Sequence, residues 1–329
     1  MHTDPVMPFV TTDDLKIHFK EAGAGRTVLV LLHGNFASWR WWRPLFDRLD
    51  RGVHAYAPVM RGCGHTIETG ESKGDRGIPR LARDLDQFSR ALSLPRFHLV
   101  GHSLGGAAAL QFALDQPGKV RSLTLVSPAP PGGLEDMRMG DSQAARTLRM
   151  LDPERGFLLP WGAALYRWGH VTRLNRVMLR RAILALMPTT SPDSDTLREL
   201  VDDAARLTPD TVLGFHEGLH RWQVADRLAE LRMPVQILAG GLDKLVPLEP
   251  LREAATVLPR ARLVVWDEVG HSPMMERPGD FAEMLLRFMA RRSLSLFLRR
   301  WFWRVSGGVR GYTRRLNANN PWEHILHQV

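Results

Sequence analysis

The sequence has a single cysteine, Cys63, so no disulfide can form within the chain. It has no uninterrupted apolar run of about 18 residues, the length from which a membrane-spanning helix is predicted. Residues 1–10 have neither the charged start nor the apolar run of a signal peptide. No cysteine–histidine cluster has metal-ligand spacing. We therefore expect a cytoplasmic protein with no metal and no other cofactor.

Lysine is scarce, since only five of the 44 basic residues are lysines. The net charge of +9 is uneven: residues 291–329 carry eight arginines and one acid, which leaves +2 for residues 1–290. We interpret the arginine excess as a habit of composition and expect no nucleic-acid partner. The aromatic residues among these arginines leave two alternatives for 291–329, contact with an anionic membrane surface or packing on the body or on a second subunit. The oligomeric state stays open.

Short apolar strands alternate with helical patterns before residue 128 and again after residue 225. The continuous apolar run from Val28 to Leu32 is typical of a strand that is buried on both faces of a parallel sheet. Strands that alternate with helices predict an α/β fold with a doubly wound, mostly parallel sheet. In such a sheet the loops that follow the strands gather at one edge, where ligands bind.

The stretch between these two parts has helical periodicity and no convincing strand. Helices are predicted at 144–151, 158–168, 171–187, 195–207 and 209–222. A helical insertion in an α/β chain predicts a cap over the active edge of the sheet. We therefore divide the chain into a core, 1–127 and 226–290, a helical cap, 128–225, and a basic aromatic extension, 291–329. The cap aromatics and a tryptophan cluster at 39–42 indicate either a hydrophobic pocket or packing of cap against core.

One stretch can carry chemistry on its own: a strand at Phe97–Val100 is followed by Gly101-His102-Ser103-Leu104-Gly105 and an alanine-rich helix. The Gly-x-Ser-x-Gly turn between a strand and a helix is a nucleophile elbow, which exposes the serine hydroxyl at a strained turn. The start of the following helix places free amides and a positive dipole end where an oxyanion would form. The alternative is a glycine-rich turn with a structural role only.

Several separated motifs occur in a recognisable order over residues 8–290. They are His33-Gly34, Arg61-Gly62, Gly101-His102-Ser103-Leu104-Gly105-Gly106, Gly240-Gly241-Leu242-Asp243-Lys244-Leu245-Val246-Pro247 and Gly270-His271-Ser272-Pro273. With these motifs the chain resembles the α/β-hydrolase superfamily, and most closely its capped serine esterase/haloperoxidase-like branch. The resemblance implies Ser103 as nucleophile, His271 as general base and Asp243 as the acid that orients it. The chain order Ser, Asp, His is the one expected for this fold.

The resemblance also implies an oxyanion hole made by the amide of Leu104 and a second amide after His33-Gly34, from Asn35 or else Phe36. His102 is expected to pack or hydrogen-bond beside the site, and His33 to brace the oxyanion loop. Asp136 and Glu135 are alternative acids.

In one respect the chain departs from its relatives. Val59 stands where many of them have an aspartate, so the loop around Cys63 is expected to be braced differently.

These residues predict a hydrolase that cleaves a carboxylic ester of a hydrophobic small molecule through a Ser-His-Asp triad and an acyl-enzyme. A lactonase, a thioesterase or a C–C bond hydrolase would use the same triad. A non-catalytic ligand-binding protein with this fold is the alternative of another class.

Overall fold

The protein is described here by a computed structural model that covers residues 8–137 and 174–290. In these ranges nine strands form one sheet with the order β1-β2-β4-β3-β6-β7-β8-β9, and β5 pairs with β2 at its side. The strands are β1 (Phe9–Thr11), β2 (Leu15–Ala22), β3 (Thr27–Leu32), β4 (Val53–Pro58), β5 (Ile67–Glu68), β6 (Phe97–His102), β7 (Val120–Val126), β8 (Val235–Gly240) and β9 (Ala261–Trp266).

Ten α-helices lie in the same ranges, together with three short 3-10 turns. The helices are α1 (Arg43–Phe46), α2 (Ile78–Ala91), α3 (Leu104–Asp115), α4 (Leu134–Met137), α5 (Leu174–Ala185), α6 (Ser194–Ala205), α7 (Pro209–His220), α8 (Leu248–Val257), α9 (Pro273–Glu276) and α10 (Pro278–Ala290). The 3-10 turns are Trp39–Trp42, Pro117–Lys119 and Ala225–Glu230. None of the helices in the described part of the chain is long and apolar enough to cross a membrane.

The sheet is parallel from β4 through β3, β6, β7 and β8 to β9. The antiparallel pairs in the described residues are those of β2 with β1, β4 and β5, at one side of the sheet. The predicted mostly parallel α/β fold is therefore confirmed. Because the central strands run in one direction, the loops after β3, β6, β8 and β9 open at a common edge.

The central strands are buried on both faces because helices cover the sheet on both sides. Every residue of β3 and of β6 is buried. Helix α3 follows β6 directly, and its run of glycine and alanine lets the helix axis approach the sheet closely, with all residues from Leu104 to Leu114 buried. This helix fixes the direction in which the chain leaves the elbow.

Helices α5, α6 and α7, which we call the insertion helices, lie between β7 and β8, where the sequence predicts the helical cap. Their observed ends differ from the predicted ones by at most three residues. The helices predicted at 144–151 and 158–168 lie outside the described residues, so the cap boundaries stay a prediction. The second insertion helix contacts the core through ion pairs of Asp203 with Arg40, at 2.9 Å, and of Glu199 with Arg43, at 2.5 Å.

Helix α8 is absent from the sequence analysis. Its third residue is Pro250, and a proline within a helical pattern is normally taken as the end of a helix. It is tolerated because amides of the first helical turn have no partner within the helix.

Candidate active site

Ser103 sits at the turn between β6 and α3 in a backbone conformation that few non-glycine residues adopt. Its φ and ψ are 53° and −120°. Such angles are strained for an L-residue and persist only where the surroundings fix them. The Ser103 amide is held by the Val126 carbonyl at 3.1 Å, in the neighbouring strand. The turn keeps the Ser103 side chain partly exposed while its neighbours are buried.

The glycines beside Ser103 allow two backbone segments to touch. A Cβ atom on Gly105 would lie 2.3 Å from the His33 carbonyl oxygen, and one on Gly101 would lie 2.3 Å from the Gly105 carbonyl oxygen. No side chain fits at either distance. The start of α3 is thereby pressed against the loop that follows β3, so the elbow and that loop form one compact unit.

His271 and Asp243 come from the loops after β9 and β8, and the structure brings them into contact. The Nδ1 atom of His271 lies 2.7 Å from Oδ2 of Asp243, and each side chain is only 3% exposed. The other Asp243 oxygen accepts the amides of Leu245 and Val246, at 2.8 and 3.1 Å. The carboxylate can only accept, so Nδ1 of His271 carries the hydrogen. In the neutral ring this leaves the Nε2 lone pair free to take a proton.

The elbow contacts the histidine loop through the residue next to Ser103. His102 Nε2 donates to the His271 carbonyl at 3.0 Å, and the two imidazole rings lie 4.8 Å apart between centroids. The ring of His102 also stacks on Trp41, at 5.8 Å. Burial holds the pKa of His102 well below its ordinary value, so the ring stays neutral. His102 therefore packs beside the site and points its donor at backbone.

His33 holds the loop that approaches Ser103 from the other side. Its Nδ1 donates to the Gly34 carbonyl at 2.8 Å, and its Nε2 accepts the Met60 amide at 3.0 Å. Burial lowers the pKa of His33 to about 4. A Cβ atom on Gly34 would lie 3.1 Å from Cβ of Ser103, so this loop passes directly over the nucleophile position. The neutral imidazole thus joins two loops by hydrogen bonds of opposite sense.

The two candidate amides after Gly34 differ in their surroundings. Phe36 has a positive φ of 55°, and its amide donates to the side-chain oxygen of Asn35 at 2.9 Å. The Phe36 amide therefore already has an acceptor.

A family model described as "alpha/beta hydrolase fold" matches residues 27–278, most of the chain. The chain belongs to the α/β-hydrolase family. Its match runs from β3 through α9 and so includes the elbow and the loops after β8 and β9.

The relatives of this α/β hydrolase, and the solved structures that resemble it, carry names from several kinds of hydrolase chemistry. The 2-hydroxy-6-oxononadienedioate/2-hydroxy-6-oxononatrienedioate hydrolase of Paraburkholderia phymatum is 26% identical over 84% of this chain and 92% of that protein. The esterase of Exiguobacterium antarcticum superposes with a TM-score of 0.69 at 20% identity, over 86% of this chain and 99% of that chain. The enol-lactonase of Burkholderia xenovorans superposes with a TM-score of 0.66 at 18% identity, over 86% of this chain and 99% of that chain. The two superpositions show a shared fold, and the names of the relatives support a hydrolase.

Other residues singled out from the sequence make contacts outside the Asp243–His271 pair. Asp136 accepts the amide of Gly132 at 2.7 Å, whereas the acid in contact with His271 is Asp243. The three tryptophans at 39–42 are 5% exposed or less, which favours packing over a pocket. The cap aromatics at 157–168 lie outside the described residues. No group of three or more potential metal ligands occurs in the parts of the chain that the structure describes.

The loop around Cys63 is braced from a helix, whereas Val59 offers no polar group for this purpose. Arg61 is fully buried at its side chain and makes two hydrogen bonds to Asp84 of α2, at 2.6 and 2.7 Å. Glu68 lies 3.7 Å from the same guanidinium. A single sequence does not indicate which helix residue faces Arg61, so this brace was missed.

Two further acids that the sequence analysis did not name hold the site's loops. Asp203 accepts a hydrogen bond from Ser38, a few residues beyond the loop that follows β3, at 2.5 Å. Glu276 accepts from the amides on both sides of His271. For Glu276 the available signal was its position five residues after the histidine.

Proposed function

We propose that this α/β hydrolase cleaves a carboxylic ester of a hydrophobic small molecule through an acyl-enzyme on Ser103. The observation that carries the proposal is the 2.7 Å hydrogen bond between His271 Nδ1 and a buried Asp243 carboxylate. It is supported by the hydrogen bond that joins the His271 backbone to His102, the residue before the strained Ser103. A serine hydroxyl becomes a nucleophile only when a base takes its proton, and the base needs an orienting group. We assign these roles to Ser103, His271 and Asp243.

In the proposed reaction, Ser103 Oγ attacks the ester carbonyl carbon and its proton passes to Nε2 of His271. The imidazolium then protonates the leaving alcohol, and the acyl group stays on Ser103. Water attacks the acyl-enzyme, His271 takes the proton from this water, and the acid leaves as Ser103 recovers its hydrogen. Asp243 orients the His271 ring and stabilises the imidazolium that forms, and the amides of Leu245 and Val246 hold its carboxylate in place.

For the oxyanion hole we propose the amides of Leu104 and Asn35. Leu104 is the first residue of α3, where amides have no partner within the helix and the dipole is positive. Asn35 is favoured over Phe36 because the Phe36 amide donates to the Asn35 side chain at 2.9 Å. Oxyanion donors act on charge that develops in the transition state, and loss of one typically costs about 100-fold or more in kcat.

The test is steady-state hydrolysis of p-nitrophenyl esters by wild type, Ser103→Ala, His271→Ala and Asp243→Asn. We expect each variant to lose about 10⁴-fold in kcat. His65→Ala is the matched control for the histidine, since His65 is exposed and outside the site. Wild-type activity in Ser103→Ala would overturn the proposal.

A second candidate function is hydrolysis of a C–C bond. It is favoured by the hydrolase of Paraburkholderia phymatum, whose named substrate is a keto-enol dioate. Such a compound has no ester linkage, so water must cleave it next to a ketone. A panel with this dioate, an aryl ester, an enol lactone and a thioester separates the candidates by kcat/KM. If the dioate is preferred by orders of magnitude, the C–C function replaces the ester function.

A further inference from the structure

Glu276 is an acid outside the proposed triad that grips the backbone on both sides of His271. Its carboxylate accepts the Gly270 amide at 2.9 and 3.0 Å and the Ser272 amide at 3.2 Å. The amide groups before and after the histidine are thus fixed by one side chain. Hydrogen bonds to a charged acceptor are about twice as strong as neutral ones. The backbone position from which the His271 ring extends is therefore set by Glu276.

The same carboxylate reaches the segment between the first two insertion helices. Thr189 donates to Glu276 Oε2 through its hydroxyl, at 2.7 Å, and its amide, at 3.3 Å. The contact is close in the backbone as well, because a Cβ atom on Gly270 would lie 2.2 Å from Cδ of Pro188. Pro188 and Thr189 therefore rest on the histidine loop, and Glu276 is the polar link between the two.

We propose that Glu276 is a positioning residue that sets the orientation of the His271 ring toward Asp243. It also couples this orientation to the position of the insertion helices on the core. This inference rests on the proposed function for its effect on turnover. Movement of the insertion helices pulls on Thr189, and the carboxylate passes this displacement to the amides that flank His271. Correct seating holds the imidazole in line with its acid. A displaced insertion turns the ring away and slows proton transfer.

A purely structural role for Glu276 makes a different prediction. Ser272 precedes the short helix α9, and a carboxylate that accepts its amide contributes to the start of that helix. If this were all, the loss of Glu276 would lower the stability of the fold without changing the state of the His271 ring. Asp193 offers a matched comparison, since it accepts two amides, from Asp195 and Thr196, and the Thr196 hydroxyl at the start of α6.

The experiment compares Glu276→Ala, Glu276→Gln and Thr189→Val with wild type and Asp193→Ala. Two quantities are measured: kcat and KM separately, and the proton resonance of the His271 Nδ1–H bond by NMR. For Glu276→Ala we expect a fall in kcat of about 100-fold with little change in KM, as for a misplacement of about 1 Å. The resonance should shift or broaden. Glu276→Gln and Thr189→Val should show the same changes at smaller amplitude, while Asp193→Ala keeps both kcat and the resonance.

Wild-type kcat and an unchanged resonance in Glu276→Ala would overturn the inference. Equal losses in Glu276→Ala and Asp193→Ala would also overturn it, because a general loss of stability would then suffice. Should Glu276→Ala not fold, Glu276→Gln and Thr189→Val decide by the same criteria. A failure of the proposed function is distinct, since Ser103→Ala would then be as active as wild type. The resonance alone would in that case decide whether Glu276 orients the ring.

Discussion

Asp203 of the second insertion helix accepts a 2.5 Å hydrogen bond from Ser38, a residue that follows the loop passing over Ser103. The same carboxylate pairs with Arg40 at 2.9 Å, and its side chain is 7% exposed. Removing a buried carboxylate with two such partners destabilises the fold, because Arg40 is then left without its closest counter-charge. The insertion is therefore fastened to the core at the edge of the candidate active site.

Asp203→Ala should lower the free energy of unfolding by about 3 kcal/mol, measured by urea denaturation. The neighbouring Asp202 is the matched control, since it pairs with Arg176 at the surface, where the side chains are 42% and 56% exposed. Asp202→Ala should cost less than about 1 kcal/mol. Similar losses of unfolding free energy in the two variants would show that the buried pair with Arg40 stabilises the fold no more than an exposed ion pair does.

Gly105→Ala should destabilise the protein by about 1 to 3 kcal/mol or more, because its Cβ would lie 2.3 Å from a backbone oxygen of His33. Gly118→Ala is the control, since no atom lies within 4 Å of the Cβ built there. The control should change stability by no more than about 0.5 kcal/mol. A stable Gly105→Ala protein would contradict the close approach of the elbow to the loop after β3.

Burial of neutral His33 makes the fold sensitive to acid. Its pKa is lowered to about 4 in the fold, against 6.5 when the chain is unfolded. Because the unfolded state binds the proton first, this contribution is complete above pH 6.5 and is lost as the pH falls toward 4. The loss amounts to about 3 kcal/mol.

Urea denaturation between neutral pH and pH 4.5 checks this for wild type and His33→Gln. The free energy of unfolding of His33→Gln should be lower than that of wild type at neutral pH, and this difference should shrink as the pH falls. A constant gap over the range would mean that His33 is not buried in its neutral form.

Cys63 should be unreactive in the folded protein. The thiol is 1% exposed, and burial raises its pKa to about 12, so almost no thiolate is present at neutral pH. Iodoacetamide should alkylate it slowly in the native state and rapidly in concentrated guanidinium, as followed by mass spectrometry. Fast native-state labelling would place Cys63 at the surface.

The sequence predicts the mostly parallel α/β fold and the loops that carry the site residues, because both follow from local patterns. The elbow at Ser103 and the strand ends before Asp243 and His271 are all visible in runs of apolar residues and glycines. The braces are different in kind. Asp203 meets Ser38 across 165 positions, and Glu276 meets Thr189 across 87. A single sequence gives no way to choose such partners among the many acids of the chain, because the choice depends on how the helices pack.

The central claim is that a serine at 103 is made nucleophilic by the histidine at 271. A fluorophosphonate probe, followed by peptide mass mapping, tests this without knowledge of the substrate. We predict one adduct, located on Ser103, that is absent in Ser103→Ala and forms far more slowly in His271→Ala. An unlabelled wild-type protein, or a label on another residue, would contradict the account.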